Sequence, residues 1–393
     1  MSDTVRPRRK QKLWRLFLMP ALVTAAAAGW TAFWFYAASQ VDANVEAWRA
    51  REAKSGRVYD CGKRSLAGFP FRFEVTCSEA TVNLVSQSAG SRAPVTVRLG
   101  DILVVAQVYD PKLLIAEFSA PATIAAEGLA LTANWRTARS SILGLPGVPQ
   151  RAAIVFEDPS IDRVNGQAAT PLARADHVEL HARLGEGAAQ DGPVIESALQ
   201  LTRASLRELH PLLAEPFDAD IRTRLTGLKD LSPKPWPLRF RELQAAGGHV
   251  EIVQSRIQQG ELIAVAAGTL QLNAKGGIEG ELQITVSGIE KIVPALGIDK
   301  MLEQSVPQAT LDRVAPGVRT EDVGNLLGAL DKAIPGFGKA LRQNANAGVA
   351  AGINSLGKEA VLEGKKARSF PLRFTDGAVY LGPLKLGQVP PLF

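Results

Sequence analysis

Two of the four histidines in the chain have a spacing that could bind a metal ion. His177 and His181 are four residues apart, which would place both rings on one side of a helix. Apolar residues alternate with them and with Glu179, however, which is typical of a strand with one solvated face. We therefore predict no metal site there. His210 precedes a proline and His249 opens a strand, and neither has an evident partner.

The sequence lacks the motifs that indicate catalysis. No hydrolase nucleophile elbow, zinc-protease helix, phosphate-binding loop or dinucleotide fingerprint occurs in it. The glycine-rich segment 276–280 lies between two strands, which favours a turn over a phosphate site. The acidic residues are scattered. We predict a protein that is not an enzyme, with no catalytic residues and no cofactor; an unrecognised hydrolase is the less favoured alternative.

The only two cysteines are Cys61 and Cys77, 16 positions apart. This spacing fits neither a redox nor a zinc motif. In an oxidising compartment we expect them to form one structural disulfide. In the chain-entropy model, closing a loop of this length stabilises the folded state by roughly 3 kcal/mol. The alternative is two free buried thiols.

One apolar segment predicts a membrane anchor. Residues 16–38 form a run of 23 residues without a charge, about 35 Å long as a helix against a hydrocarbon core of ~30 Å. Trp30, Trp34 and Tyr36 lie toward its far end, where aromatic rings favour the membrane interface. The small residues 37–39 would suit a cleaved signal peptide, but the length and the aromatic rings favour an uncleaved anchor.

The net charge of +6 is concentrated in one place. Residues 1–15 hold 6 of the 45 basic and 1 of the 39 acidic side chains, so the rest of the chain carries 39 basic and 38 acidic ones. This balance argues against a nucleic-acid partner. Basic residues before the apolar run predict a single-pass protein of the inner (cytoplasmic) membrane, with a cytoplasmic N-terminus and a periplasmic body.

The remainder alternates with a period of two from residue 57 onward. Hydrophobic residues make up 46% and charged residues 21%, close to globular norms, which excludes a disordered chain. Between Gly268 and Gly288, two alternating segments flank a glycine-rich turn and predict an antiparallel hairpin. We predict a mainly β (α+β) fold. It is an elongated, curved antiparallel sheet with a helical insertion, preceded by one N-terminal transmembrane helix.

These patterns divide the chain into segments of different character. Residues 291–364 have helical spacing and several prolines, which favours a helical insertion. The predicted organisation is a basic cytoplasmic tail (1–15), a transmembrane anchor (16–38), a stalk helix (39–56), a first β-rich periplasmic region (57–235) and a second β-rich region (236–393) containing the insertion.

A short phrase of aromatic, proline, apolar, arginine and phenylalanine residues occurs three times, at 69–73, 236–240 and 370–374. Proline is tolerated at the first position of a strand, so each copy predicts the start of a strand. The copies indicate either two or three related β units or a common way of starting a strand.

The segment from Gly56 to Cys77, with its paired cysteines around Gly68-Phe69-Pro70-Phe71-Arg72, resembles a family of alphaproteobacterial envelope proteins catalogued only as a domain of unknown function. The resemblance extends through 109–111 to 376–387 and implies no functional residue. The closing phrase is also similar to AsmA-like proteins, which are β-rich, anchored in the inner membrane and implied in lipid traffic.

The sequence therefore favours a non-catalytic, membrane-anchored envelope protein that binds lipid or another amphiphile. Strands with one apolar face must cover that face, and a face left uncovered would suit acyl chains. The expected partners are the inner membrane, through residues 16–38, and lipid. A scaffold that binds envelope proteins is the alternative.

Overall fold

The structure of the chain, a computed structural model, describes residues 14–85, 95–166, 168–185, 192–208, 211–288, 357–382 and 384–393. Within these ranges the chain forms three helices and 21 strands, and all the strands belong to one sheet. The described strand pairs are antiparallel. The prediction of a mainly β protein, with one antiparallel sheet and an N-terminal apolar helix of membrane-spanning length, is confirmed.

The first helix, α1 (Trp14–Lys54), is 41 residues long and spans roughly 60 Å. It includes the predicted anchor and almost all of the predicted stalk without interruption. Gly56 adopts φ 79°, a conformation that glycine tolerates best, and turns the chain into β1 (Arg57–Ala67). β1 returns along the second half of α1, where the Trp48 and Tyr59 rings are 4.6 Å apart.

The other strands form a meander in which sequence neighbours are mostly sheet neighbours. The first group is β2 (Arg72–Leu84), β3 (Val95–Leu99), β4 (Ile102–Gln107), β5 (Asp110–Phe118), β6 (Ala122–Ala126), β7 (Leu129–Asn134), β8 (Thr137–Leu143), β9 (Arg151–Glu157), β10 (Ser160–Asn165), β11 (Ala168–Arg174) and β12 (His177–Leu184).

The second group continues the same sheet and includes two short helices. It comprises β13 (Ile195–Leu206), α2 (Pro211–Ala214), β14 (Phe217–Leu225), α3 (Trp236–Ala245), β15 (His249–Gln259), β16 (Leu262–Leu272), β17 (Ile278–Ser287), β18 (Lys358–Leu362), β19 (Lys365–Thr375), β20 (Ala378–Leu381) and β21 (Leu384–Gln388). β16 and β17 are the predicted hairpin, paired from Ile263↔Ser287 to Leu272↔Ile278.

A line of backbone breaks, which we call the crease, crosses the first half of the sheet. Five strand pairs (β3–β4, β5–β6, β7–β8, β9–β10 and β11–β12) each continue one another after a gap of two or three residues. The gaps lie side by side: Ser119 N donates to Asp101 O at 2.9 Å, and Asp158 N donates to Asp176 O at 2.8 Å.

The crease divides this part of the sheet into two leaves. Leaf one comprises β4, β5, β8, β9 and β12, and leaf two comprises β3, β6, β7, β10 and β11. The uninterrupted strands β2 and β13 each border both leaves. Each has a positive φ where it crosses the crease, 56° at Glu79 and 48° at Arg203. Such irregularities bend a strand and increase its twist.

The three copies of the aromatic-proline phrase adopt different structures. The copy at 69–73 precedes and starts β2 as predicted. The prediction was wrong for 236–240, which begins α3, because proline is equally tolerated in the first turn of a helix. The copy at 370–374 lies inside β19 rather than at its start.

The predicted helical insertion 291–364 falls mainly outside the described residues. Its last part is described, and there the prediction was wrong, because 358–362 form β18. Glu363 and Gly364 have φ 51° and 75°, as in the two-residue turns that join β-hairpins, and they connect β18 to β19.

Candidate ligand-binding face

The strand register places apolar residues of successive strands side by side on one surface of the sheet, which we call the apolar face. Directly paired residues of antiparallel strands share a face. The central row crosses β2, leaf one, β13 and β14, and consists of seven apolar residues and one serine: Val75, Val104, Ala116, Ser140, Ile154, Leu180, Leu199 and Ile221. A parallel row begins at Phe73 and continues through Ala106, Leu114, Ile142, Ala152 and Ala182.

This apolar face is only partly covered by the described residues. Every member of the central row is at least partly exposed, and Leu180 retains 41% of its surface. The helices cover only its margins: α1 lies along β1 and covers Phe73, α2 packs against β13, and α3 packs against β16. The two clusters of buried residues in the described chain are small; one surrounds Phe73, and the other, around Phe217, has Ile221 of the central row packed against it.

The opposite surface of leaf one, which we call the polar surface, carries ion pairs beside apolar residues such as Val105, Ile115 and Val155. Arg139 Nε lies 2.9 Å from the Glu117 carboxylate, and Arg183 lies 2.7 Å from Glu196 across β12 and β13. Both arginines are well exposed, so these pairs contribute little stability and mark the solvated side. These ion pairs therefore lie on the surface opposite the central row.

The two histidines with metal-like spacing lie on this polar surface. His177 Nδ1 is 2.9 Å from Glu157, and Glu179 lies between the rings, 3.3 Å from His177 Nε2 and 2.5 Å from His181 Nε2. Within the described ranges no group of three or more metal-ligating side chains is arranged to hold an ion. His249 contacts Thr226 Oγ1 at 3.1 Å, and His210 lies outside the described residues.

These contacts shift the titration of His177 and Glu179. Burial opposes protonation of His177, but the hydrogen bonds to Glu179 and Glu157 outweigh it and raise its pKa. The same contacts, led by the one from His181, lower the pKa of Glu179. His177 therefore stabilises the fold fully below the unfolded pKa of about 6.5, and this contribution is lost as the pH rises through the folded pKa.

We expect His177→Gln to lower the free energy of unfolding by about 1 kcal/mol near pH 5.5 and by much less near pH 8.5. The measurement is chemical denaturation of the full chain in detergent at both pH values. Gln200→Ala, a neutral change on the same polar surface, should have the same effect at both. If His177→Gln lowered the free energy of unfolding equally at both pH values, the pH-dependent contribution of His177 to stability would be contradicted.

A second cluster of charged residues connects β14 to α3. Lys234 Nζ lies 2.8 Å from Asp230 and 2.6 Å from Glu242, and Arg239 lies 2.9 Å from Glu242. The hydrogen bond from Lys234, followed by those from Ser232, holds the pKa of Asp230 far below its usual range. The two carboxylates and two cations of this cluster neutralise one another. The cluster therefore holds α3 to the preceding loop and contains no unpaired acid or base that could act in catalysis.

The predicted disulfide is present between Cys61 and Cys77, whose Cα atoms are 5.6 Å apart. Cys77 lies two residues before Glu79, where β2 crosses the crease. Cys61 pairs with Ala80, just beyond the same point. The bond therefore fixes β1 to β2 at the start of the crease.

The described chain thus has one anchor-like helix, one disulfide and a sheet with a partly exposed apolar face. A family model, described as an uncharacterized protein conserved in bacteria (DUF2125), matches residues 34–390. The chain belongs to the DUF2125 family. No curated protein and no solved structure matches it. The predicted membership of an uncharacterised bacterial family is confirmed, while the alphaproteobacterial origin and the similarity to AsmA-like proteins stay predictions.

The alternating pattern of the DUF2125 sheet was visible in the sequence, but the crease was missed. Its signal is a short polar or proline-containing interruption between alternating segments, as at Asp158-Pro159 and Ala175-Asp176. The sequence also did not reveal that Trp34 is buried. Its ring stacks on Phe73 at 5.6 Å and is 5% exposed, so it packs against the sheet rather than facing the membrane interface as expected.

Proposed function

We propose that this chain is a single-pass inner-membrane protein whose periplasmic sheet binds lipid or another amphiphile on its apolar face, without catalysis. The observation that carries the proposal is the central row of that face. It runs across eight strands and remains partly exposed in the described residues. Exposed apolar surface of this extent usually marks a binding site.

The shape of the row suits acyl chains better than a compact ligand. Adjacent strands are about 4.8 Å apart, so eight strands form a strip of over 30 Å. Aliphatic side chains dominate it, and the ion pairs of Arg139 and Arg183 lie on the opposite surface. A strip without charged partners provides dispersion contacts and excludes water, which favours a hydrocarbon chain.

The proposed location rests on α1. Residues 17–54 include a segment that is long and apolar enough to span a membrane, a test that a signal sequence near the N-terminus also passes. Burial supports retention of the helix, because Trp34 and Ala38 are packed against the sheet at 5% and 7% exposure. The basic tail supports a cytoplasmic N-terminus.

Photocrosslinking at two adjacent residues tests the lipid proposal. We expect p-benzoyl-phenylalanine at Leu180, on the apolar face, to form lipid adducts when the full chain is illuminated in phospholipid vesicles. The same group at His181, which is on the polar surface of the same strand, is the matched control and should form none. Mass spectrometry of the intact protein measures both yields.

Each other outcome has a defined meaning. Discrete protein adducts at Leu180 in cells, without lipid, would replace the proposal with an envelope scaffold that binds other proteins. Equal lipid yields at both positions, or none at either, would contradict a lipid-binding apolar face.

A further inference from the structure

The turn between β1 and β2 packs against the apolar helix α1. Trp30 Nε1 donates a hydrogen bond to Pro70 O at 2.9 Å, and Trp34 Nε1 donates one to Arg72 O at 3.2 Å. The Phe35 and Phe69 rings stack at 6.1 Å, and the Trp30 and Phe71 rings are 6.4 Å apart. These contacts fix the turn at the level of residues 30–36.

That level lies within the uncharged part of α1. The predicted anchor ends at Ala38, so Trp30 is about 12 Å, along the helix axis, from its end. Among the side chains that the structure describes, the first one in the helix to form an ion pair with the sheet is Asp42, 3.3 Å from Arg64. The turn therefore lies on the apolar side of the point where charged contacts begin.

The aromatic side chains at this level are exposed despite their ordered contacts. Phe69 and Phe71 are 50% and 63% exposed, whereas Phe73, which follows them in β2, is 6% exposed. The adjacent β4–β5 turn adds Tyr109, which is 75% exposed. This turn is joined to the β1–β2 turn by the hydrogen bond from Val108 N to Phe71 O at 3.0 Å. We call Phe69, Phe71 and Tyr109 the aromatic foot.

We infer that the aromatic foot inserts into the surface of the bilayer that α1 spans, so that the sheet stands on the membrane through two turns. The inference deepens the proposed function and rests on α1 being a membrane anchor. Aromatic rings favour the boundary between hydrocarbon and headgroups, and large exposed rings are otherwise costly in water. Their position beside the anchor leaves the bilayer as the surface they contact.

The aromatic foot lies next to the start of the apolar face. Phe73 starts one row of that face and lies two residues beyond Phe71 on β2. Val75 starts the central row on the same strand. The row that begins at Phe73 therefore starts beside the foot, beneath the Trp34 ring.

Site-specific photocrosslinking of the full chain in phospholipid vesicles tests the foot. p-Benzoyl-phenylalanine replaces Phe71, Leu22 within the anchor segment of α1, or Val361, which is 76% exposed in the distant strand β18. We expect lipid adducts from Phe71 and Leu22 and at least tenfold fewer from Val361. An aromatic group at Phe71 preserves the native packing, and an intact Cys61–Cys77 bond on a non-reducing gel confirms folding.

The two control positions separate the possible failures. Lipid adducts at Leu22 without adducts at Phe71 would overturn the aromatic foot and leave the anchor intact. The absence of adducts at both would contradict the anchor on which the inference rests. Equal lipid-adduct yields at Phe71 and Val361 would also overturn the aromatic foot, because they would show that contact with lipid is nonspecific.

Discussion

Leu180→Asp is expected to reduce lipid binding on the apolar face at least tenfold. Leu180 is in the central row and pairs directly with Ile154 and Leu199. An acyl chain over this row would have to desolvate the new carboxylate, which costs several kcal/mol, and each 1.4 kcal/mol corresponds to a factor of ten. The readout is the lipid-adduct yield from p-benzoyl-phenylalanine at Leu199 in vesicles.

The same charge on the other surface provides the control for this experiment. Ala153→Asp places a carboxylate opposite His181, on the polar side of leaf one, and should leave the adduct yield unchanged. Leu180 is 41% exposed, so a carboxylate there can stay hydrated in the absence of ligand, and the fold should persist. Equal yields from Leu180→Asp and the unsubstituted chain would show that ligand does not occupy the central row.

The strands were predictable because their side chains alternate, as in 177–184, where the predicted polar and apolar sides are those of β12. The order of strands in the sheet could be predicted only partly from the sequence. The division into leaves depends on backbone irregularities such as those at Glu79 and Arg203, residue types with no intrinsic preference for positive φ. Neighbouring strands impose these conformations, so local sequence does not encode them.

The aromatic-proline phrase is a second case in which local sequence did not determine the secondary structure. Proline fixes φ and removes a donor, which suits both the start of a strand and the first turn of a helix. Residues 236–240 become helical where Arg239 contacts Asp230 and Glu242. These contacts join residues up to nine positions apart, and alternation cannot report them. The exposed face was likewise beyond the sequence, because exposure depends on what packs over it.

Removing the disulfide should cause the largest loss of stability. We expect the double substitution Cys61→Ser and Cys77→Ser to lower the free energy of unfolding by about 3 kcal/mol, the value for closing a loop of this length in the chain-entropy model. The bond joins β1, which carries the ion pairs to α1, to β2, which starts the crease. Its loss should therefore also increase proteolytic cleavage between α1 and β2.

Reductant supplies the internal control for this prediction. Reducing the native chain should reproduce the destabilisation of the double variant, and the same reductant should leave the double variant unchanged, since it has no bond to break. Thermal unfolding in detergent measures all four states. A native chain whose melting temperature is unaffected by complete reduction would show that the contacts of β1 alone, such as Arg64 with Glu46 at 2.6 Å, hold the sheet to the anchor.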